Sequence, residues 1–178
     1  MKIQIDTDII LRQLEKTDAV DIFNTIDSQR EYLGKWLPFV KLTKEVSFTQ
    51  GFVDATVEAP EEQREYMFTI RKNDVFIGLI GFKDTDRVNK KTEIGYWLSF
   101  HNQGNGIITK SVVKLCEFAF HKLEMNRVQI KCAVGNIPSK NVPKRLGFSF
   151  EGIERQGELL TGGIFTDLEV YSQLKGDL

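Results

Sequence analysis

The chain changes from strand to helix and back to strand over residues 92–134, around a loop that carries two glycines, and this order leaves few folds open. "TEIGYWLS" (92–99) is apolar and aromatic, which predicts a strand, and a polar loop follows over 100–105. Between 106 and 123 apolar residues recur every three or four positions, as in a helix with one buried face. "RVQIKCAV" (127–134) alternates apolar and polar residues, which predicts another strand.

The remaining segments extend this pattern to the whole chain. Strands are predicted over 9–15, 66–72, 75–84, 148–154 and 165–174, and helices over 44–58 and 139–146. We predict that Thr17 caps a helix that follows it, that 30–40 forms a short helix and loop, and that Gly147 ends the helix before it. The fold class is therefore α+β. We expect one domain over residues 1–178, built as αβα layers with helices on both faces of a mixed, largely antiparallel sheet.

Composition excludes several classes of protein. The 178 residues are 41% hydrophobic and 28% charged, which is ordinary for a globular protein. No run approaches the roughly 18 apolar residues of a membrane span, and the first residues lack a signal peptide, so we expect a cytoplasmic protein without a membrane partner. Cys116 and Cys132 form no C-x-x-C pair, so neither a metal site nor a disulfide framework is expected.

Charge is distributed unevenly. The net charge is −1, yet the stretch from Ile94 to Phe150 holds eight Lys and Arg residues against only Glu117 and Glu124. This local excess of six positive charges suits a small polyanionic ligand. It is equally consistent with lysines on solvated helix faces, and charge alone does not decide between the two. No nucleic-acid partner is expected, because no basic arm or nucleic-acid motif accompanies it.

The loop and helix start "GNGIITKS" (104–111) resemble a nucleotide-binding Walker A loop, except that Thr109 replaces its second glycine. Unpaired N–H groups at a helix N-terminus bind anions, and Gly104 and Gly106 let an anion approach the backbone. Proteins usually place an acid in the first turn of a helix, but the first acid here is Glu117. This indicates a cradle for an external anion, although two glycines can also serve only to shape a turn.

The ordered set of short motifs resembles one family. "EIGYWL" (93–98), Gln103-x-x-Gly106, "NRV" (126–128), Asn136-x-x-Ser139 and "LGF" (146–148) follow one another, after an early "REYLGKWLPFV" (30–40). In order and spacing they resemble the GNAT superfamily of acyl-CoA-dependent N-acyltransferases, most of all the branch that acetylates ribosomal-protein N-termini. Ile108 departs from this pattern, because the family usually has Gly or Ala there.

The resemblance implies a set of residues that hold acetyl-CoA. The strand around Trp97, Leu98 and Ser99 is expected to separate from its neighbour at a bulge and to pair its backbone with the pantetheine amides. The side chain of Asn136 is expected to contact the same pantetheine arm. The pyrophosphate is expected on the backbone of the loop and helix start, namely Gln103, Gly104, Asn105, Gly106, Ile107, Ile108 and Thr109.

The resemblance also implies the catalytic groups and the partners. Ser139 would protonate the leaving thiolate, or would instead only cap its helix. Glu158 would take the amine proton, or would instead be an exposed loop carboxylate. Cys132 is expected in the core.

The acceptor amine would attack directly in a ternary complex. It would lie along Trp36, Phe39, Gly162 and Gly163. A ribosomal-protein N-terminus is the first choice of acceptor, with other peptides, polyamines and aminoglycosides left open. A non-catalytic acyl-CoA-binding protein, a nucleoside-triphosphate enzyme and a homodimer are also left open.

Overall fold

The computed structural model describes residues 1–177, which form eight strands and five α-helices. Along the chain they are β1 (Lys2–Asp6), β2 (Ile9–Gln13), α1 (Ala19–Ser28), α2 (Arg30–Gly34), α3 (Val46–Glu58), β3 (Met67–Lys72), β4 (Val75–Asp86), β5 (Lys91–Leu98), α4 (Ile107–His121), β6 (Arg127–Ala133), α5 (Ile137–Arg145), β7 (Ser149–Leu160) and β8 (Ile164–Leu174). Short 3-10 helices include Pro38–Lys41 and Phe100–Asn102.

The strands form one mixed sheet in the order β1-β2-β3-β4-β5-β6-β8-β7. The pairs β1–β2, β2–β3, β3–β4, β6–β8 and β7–β8 are antiparallel, whereas β5 and β6 run parallel. Parallel neighbours need a long connection, and α4 supplies it between β5 and β6. The predicted α+β class, with a mixed and mostly antiparallel sheet, is confirmed.

The chain divides into two compact units. Unit 1 consists of Met1–Gly81 and Tyr96–Ile107, and unit 2 consists of Phe82–Gly95 and the chain from Ile108 onward. Strands β4 and β5 therefore each contribute residues to both units. The single domain over 1–178 stays a prediction.

The core of unit 1 lies under its three helices. Ala19, Ile22 and Ile26 form the buried face of α1, at the three- and four-residue spacing of an amphipathic helix. Leu33 of α2 and Val53 of α3 pack into the same core. This packing fixes α2 and the segment that follows it.

The core of unit 2 is built on α4 and β6. The predicted apolar face of α4 is buried, with Leu115 and Ala119 at 0% exposure, and the alternating residues Val128, Ile130 and Cys132 of β6 are buried as well. Burial raises the pKa of the Cys116 thiol on this face to about 12. Cys116 is therefore an inert core residue.

Several local predictions are corrected. Strand β1 has no counterpart in the sequence analysis. Thr17 does not cap α1, because it lies inside a 3-10 turn (Lys16–Asp18) and Asp18 holds the N-cap position. Asp18 is buried and accepts a hydrogen bond from the Glu15 amide at 2.8 Å, so the polar group that fixes this turn is a carboxylate.

Two boundaries affect the candidate site. Helix α5 begins at Ile137, two residues earlier than predicted, and Gly147 follows it with φ of 72°, as predicted for its end. Strand β7 continues to Leu160, whereas the predicted strand ends at residue 154. The glycines and charges of "RQGELLTGG" are typical of a loop, yet Glu158, Leu159 and Leu160 pair with β8.

Candidate active site

In unit 1, a short exposed loop joins β5 to α4. Gly104 and Gly106 adopt φ of 78° and 70°, the left-handed region that favours glycine. A Cβ at either position would meet nothing within 4 Å, so backbone conformation and not close packing demands glycine. Gln103, Gly104, Asn105 and Gly106 are all exposed.

The loop leads into a helix start that is suited to an anion. Ile107, the first residue of α4, is 2% exposed and anchors the helix, while Ile108 and Thr109 are half-buried. No acid stands in the first turn of α4 to complement its N–H groups.

The ladder between β5 and β6 stops early, and the end of β5 lies close to β4. The ladder covers only Lys91–Glu93 against Arg127–Gln129, so it stops five residues before β5 ends. Further along, β4 approaches β5 closely: a Cβ at Gly78 would lie 2.4 Å from the Trp97 carbonyl oxygen. The Ser99 amide donates to the Ile77 carbonyl at 2.8 Å, so that amide is already used. Pairing of a cofactor with Trp97 and Leu98 stays a prediction.

Tyr32 of α2, which the sequence analysis did not single out, contacts both sides of this region. Its hydroxyl donates to the Leu98 carbonyl at 3.3 Å and accepts from the Gln103 side-chain amide. Burial raises the pKa of Tyr32, and the Gln103 hydrogen bond partly offsets this. The only signal in the sequence was its place in the aromatic segment 30–40.

In unit 2, Asn136 and Ser139 open helix α5. Asn136 is the N-cap, and its side-chain oxygen accepts from the Ser139 amide at 3.4 Å. The interpretation of Ser139 as the cap is therefore wrong, because Ser139 is the third residue inside the helix. Its hydroxyl lies 3.3 Å from the thiol sulfur of Cys132, which is buried as expected. A contact of Asn136 with pantetheine stays a prediction.

A buried ion pair holds α5 against β8. Lys140 Nζ lies 2.6 Å from Glu169, and both side chains are 12% exposed. Tyr171, which is 2% exposed, donates its hydroxyl to the same carboxylate. Burial alone would raise the pKa of Glu169, but the hydrogen bonds from Lys140 and Tyr171 outweigh it and hold that pKa below its usual range. Because removing one partner of such a pair is costly, this network fixes the helix that carries Ser139.

Glu158 lies in strand β7, paired with Thr166 of β8, and is half-buried. The alternative of an exposed loop carboxylate is therefore wrong. Burial raises the pKa of Glu158, the negative charge of Glu93 raises it further, and Lys83 lowers it. A carboxylate with a raised pKa is a stronger base than a solvated one.

Glu93, in the middle of β5, is the residue that the sequence analysis missed beside Glu158. It is 2% exposed and is held by Lys83 Nζ at 2.8 Å and by the Gln129 amide at 3.0 Å. A charged residue between Thr92 and Ile94, both also buried, requires partners and could have been singled out for that reason.

The predicted acceptor residues are distributed over both units. In unit 1, Trp36 is half-buried with Lys35 Nζ 5.1 Å from its ring centroid, and Phe39 is 42% exposed. In unit 2, Gly162 and Gly163 form the turn between β7 and β8 with φ of 91° and 78°. Their role as an acceptor groove stays a prediction.

Ion pairs change the interpretation of the positive stretch. Lys131 pairs with Glu154 at 2.7 Å and Arg127 with Glu151 at 2.5 Å, while Lys140 and Lys144 share Glu169. The acids come from β7 and β8, beyond the stretch in which the charges were counted. Much of the local positive charge is thus neutralised within unit 2. Over residues 1–177, no helix is long and apolar enough to cross a membrane, and no group of His, Cys, Asp or Glu is arranged to hold a metal ion.

Comparison with known proteins places these features in context. Residues 8–149 match the family described as "Acetyltransferase (GNAT) domain". The chain is 36% identical to "Putative ribosomal N-acetyltransferase YdaF" of Bacillus subtilis, over 97% of this chain and 94% of the relative. It is 29% identical to "Ribosomal-protein-serine acetyltransferase" of Escherichia coli, over 97% and 96% of the two chains.

A solved structure gives the same result for the fold. The structure of microcin C7 self-immunity acetyltransferase MccE, in complex with acetyl-CoA and AMP, superposes with a TM-score of 0.90 at 26% identity. The alignment covers 97% of this chain and 95% of that one.

Proposed function

Because the chain belongs to the GNAT acetyltransferase family, we propose that it transfers the acetyl group of acetyl-CoA to a primary amine, and that this amine is the N-terminus of a protein. The observation that carries the proposal is the loop over 103–106. It leads into a helix whose first turn has no acid, next to a strand that leaves its ladder early. This is a site for a phosphate-bearing ligand, and the acetyltransferase MccE, a relative in structure, binds acetyl-CoA.

The proposed chemistry is a direct attack. The neutral amine adds to the thioester carbonyl, the carbon–sulfur bond breaks, and the amine proton passes to the Glu158 carboxylate. Ser139 gives its hydroxyl proton to the leaving thiolate and regains one from solvent. An N-terminal amine, with a pKa near 8, is partly neutral at physiological pH, so a half-buried carboxylate is a sufficient base. Positioning of the two substrates supplies much of the rate.

The acceptor is proposed from the relatives. Two of them carry names that specify ribosomal acetylation, one of them on serine, which supports a ribosomal-protein N-terminus. A small-molecule acceptor is the second candidate, because MccE is an immunity acetyltransferase and was solved with AMP beside acetyl-CoA. A polyamine, an aminoglycoside and a purely acyl-CoA-binding role remain as outcomes of the test.

The test measures binding and turnover separately. Calorimetry with acetyl-CoA, CoA and magnesium–ATP gives affinities, and release of the CoA thiol gives turnover on peptides that begin with Ser, Ala or Met. The same peptides with a blocked N-terminus are the matched controls, and spermidine and kanamycin represent small amines. We expect the protein to bind acetyl-CoA. We expect thiol release only with peptides whose N-terminus is free. Binding without turnover on any amine would indicate a sensor, and magnesium-dependent ATP binding would indicate a nucleotide enzyme.

Two further expectations accompany the proposal. A homodimer is tested by sedimentation of the purified chain at several concentrations. A cytoplasmic location is tested by fractionation of the source cells.

A further inference from the structure

We infer that Tyr32 is a positioning residue that holds the loop over 103–106 in its cofactor-binding conformation, an inference that rests on the proposed function. Tyr32 belongs to α2, and its backbone is fixed because its neighbour Leu33 is 3% exposed in the core of unit 1. Its side chain reaches from this fixed helix to the loop.

The Tyr32 hydroxyl bridges the two ends of the segment 98–103. It donates its one proton to the Leu98 carbonyl at the end of β5 and accepts from the amide nitrogen of Gln103, where the loop begins. One oxygen atom therefore sets the position of the last residue of the strand relative to the first residue of the loop.

A second anchor holds the middle of the same segment. The Phe100 ring packs edge-on against the Tyr32 ring, with centroids 5.3 Å apart. The Phe100 amide donates to the side-chain oxygen of Gln29, just before α2, at 2.8 Å. The start of α2 thus contacts this segment at its beginning, middle and end.

Within the loop, the Asn105 side-chain amide donates to the carbonyls of Asn102 and Gln103 at 3.4 and 3.1 Å, and Tyr32 adds a restraint from outside. Gly104 and Gly106 have no side chains, and the sites of their missing Cβ atoms are in open space, so packing does not hold them. Glycine has the most conformational freedom to lose when it is ordered. A loop that binds through backbone N–H groups gains affinity when its conformation is set before the ligand arrives. Tyr32, through Gln103, is a contact that sets it.

Tyr32→Phe tests the inference, because it removes the bridging oxygen and leaves the ring against Phe100. We expect acetyl-CoA to bind about three- to tenfold more weakly by calorimetry, the range for lost hydrogen bonds of this kind. Turnover at saturating acetyl-CoA should stay near that of the wild type. The matched control is Tyr66→Phe, which removes the same atom from a half-buried tyrosine of unit 1 outside this cluster.

A truncated substrate separates positioning from general loosening of the fold. S-acetylpantetheine lacks the pyrophosphate, so Tyr32→Phe should lower kcat/KM with it by much less than kcat/KM with acetyl-CoA; any loss that remains reports the contact of Tyr32 with Leu98. An equal loss with both substrates, or a change of less than twofold in acetyl-CoA affinity, would overturn the inference. If the wild type itself does not bind acetyl-CoA, the proposed function fails instead, and the two failures are distinct.

A double-mutant cycle tests the route through Gln103. If Tyr32 acts by holding Gln103, then Tyr32→Phe combined with Gln103→Ala should bind acetyl-CoA no more weakly than the weaker single variant. Fully additive losses would show that the Gln103 side chain acts on the ligand by itself, and would overturn this route.

Discussion

The loop over 103–106 in unit 1 and the carboxylate of Glu158 in unit 2 use different parts of the chain for their proposed roles. The loop offers backbone N–H groups, so the residues that matter are those that set its backbone: Gly104 and Gly106, where φ favours glycine, and Gln103, whose side chain bonds Tyr32. Glu158 offers a side chain, whose basicity is set by burial and by Lys83 and Glu93, on two other strands. The conformation of the loop is encoded mainly by a few consecutive residues, with Tyr32 as a contact from outside, whereas the basicity of Glu158 depends on residues far apart in the sequence.

Gly106→Glu is expected to have the largest effect on the phosphate site at residues 103–106. A carboxylate at the helix start repels the pyrophosphate, and like charges placed against each other cost several kcal/mol, so we expect acetyl-CoA binding to fall by more than about a hundredfold. Calorimetry measures the affinity.

The control for that variant is Gly106→Asn. Asparagine tolerates the left-handed backbone and carries no charge, so this variant should bind far better than Gly106→Glu. Unchanged affinity in a folded Gly106→Glu protein would place the phosphate site elsewhere.

Among the proposed catalytic side chains, Ser139→Ala is expected to have the largest effect. If Ser139 protonates the thiolate, kcat should fall by about 10²- to 10⁴-fold, while the acetyl-CoA dissociation constant stays within a few-fold. Asn136 is the helix cap, whereas the Ser139 side chain contacts the Cys132 thiol, so Ser139→Ala should lower the melting temperature less than Asn136→Ala does. Asn136→Ala should lower the free energy of unfolding by about 1 kcal/mol. Near-normal turnover in Ser139→Ala would exclude the acid role.

Glu158→Gln should have a smaller effect, about 10²-fold on kcat/KM at neutral pH with a peptide acceptor, the low end of the range for a positioned base. The rate should recover as pH rises, because the amine then loses its proton without help from the enzyme. The pH–rate profiles of wild type and variant measure this. Profiles that differ by a constant factor at every pH would mean that Glu158 is not the base.

The smallest expected effects are shifts in the pKa of Glu158 caused by its charged neighbours. Glu93 raises the pKa of Glu158, so Glu93→Gln should move the acid limb of the kcat/KM profile to lower pH. Lys83 lowers the same pKa, so Lys83→Gln should move that limb to higher pH. The opposite signs are the test, because general damage to the site would not reverse between the two variants. Shifts in the same direction would contradict the arrangement.

Features encoded by neighbouring residues could be predicted from the sequence, whereas features that depend on distant residues could not. Local patterns predicted β4, β5, α4 and β6 closely, because periodicity and glycines lie within each segment. Glu158 was assigned to a loop, because pairing with Thr166 on the next strand is not visible in its own neighbours. Capping, one of the two roles considered for Ser139, belongs to Asn136, since the helix start depends on a hydrogen bond from the Ser139 amide to the Asn136 side chain.

Contacts between distant segments could not be read from the sequence at all. Tyr32 lies 71 residues from Gln103, and Glu93 lies 36 residues from Gln129. The positive stretch from Ile94 to Phe150 was counted without Glu151, Glu154 and Glu169, which pair with its lysines and arginine. In each case the partner is brought close only by the tertiary fold.

The most direct test of the central claim is the stoichiometry of one reaction. The enzyme is incubated with acetyl-CoA and a ribosomal-protein N-terminal peptide that begins with serine, and released CoA thiol is compared with acetylated peptide by mass spectrometry. The account predicts one thiol per acetyl group, with the acetyl group on the α-amine and no reaction of the blocked peptide. Thiol release without acetylated peptide, or acetylation that persists on the blocked peptide, would contradict it.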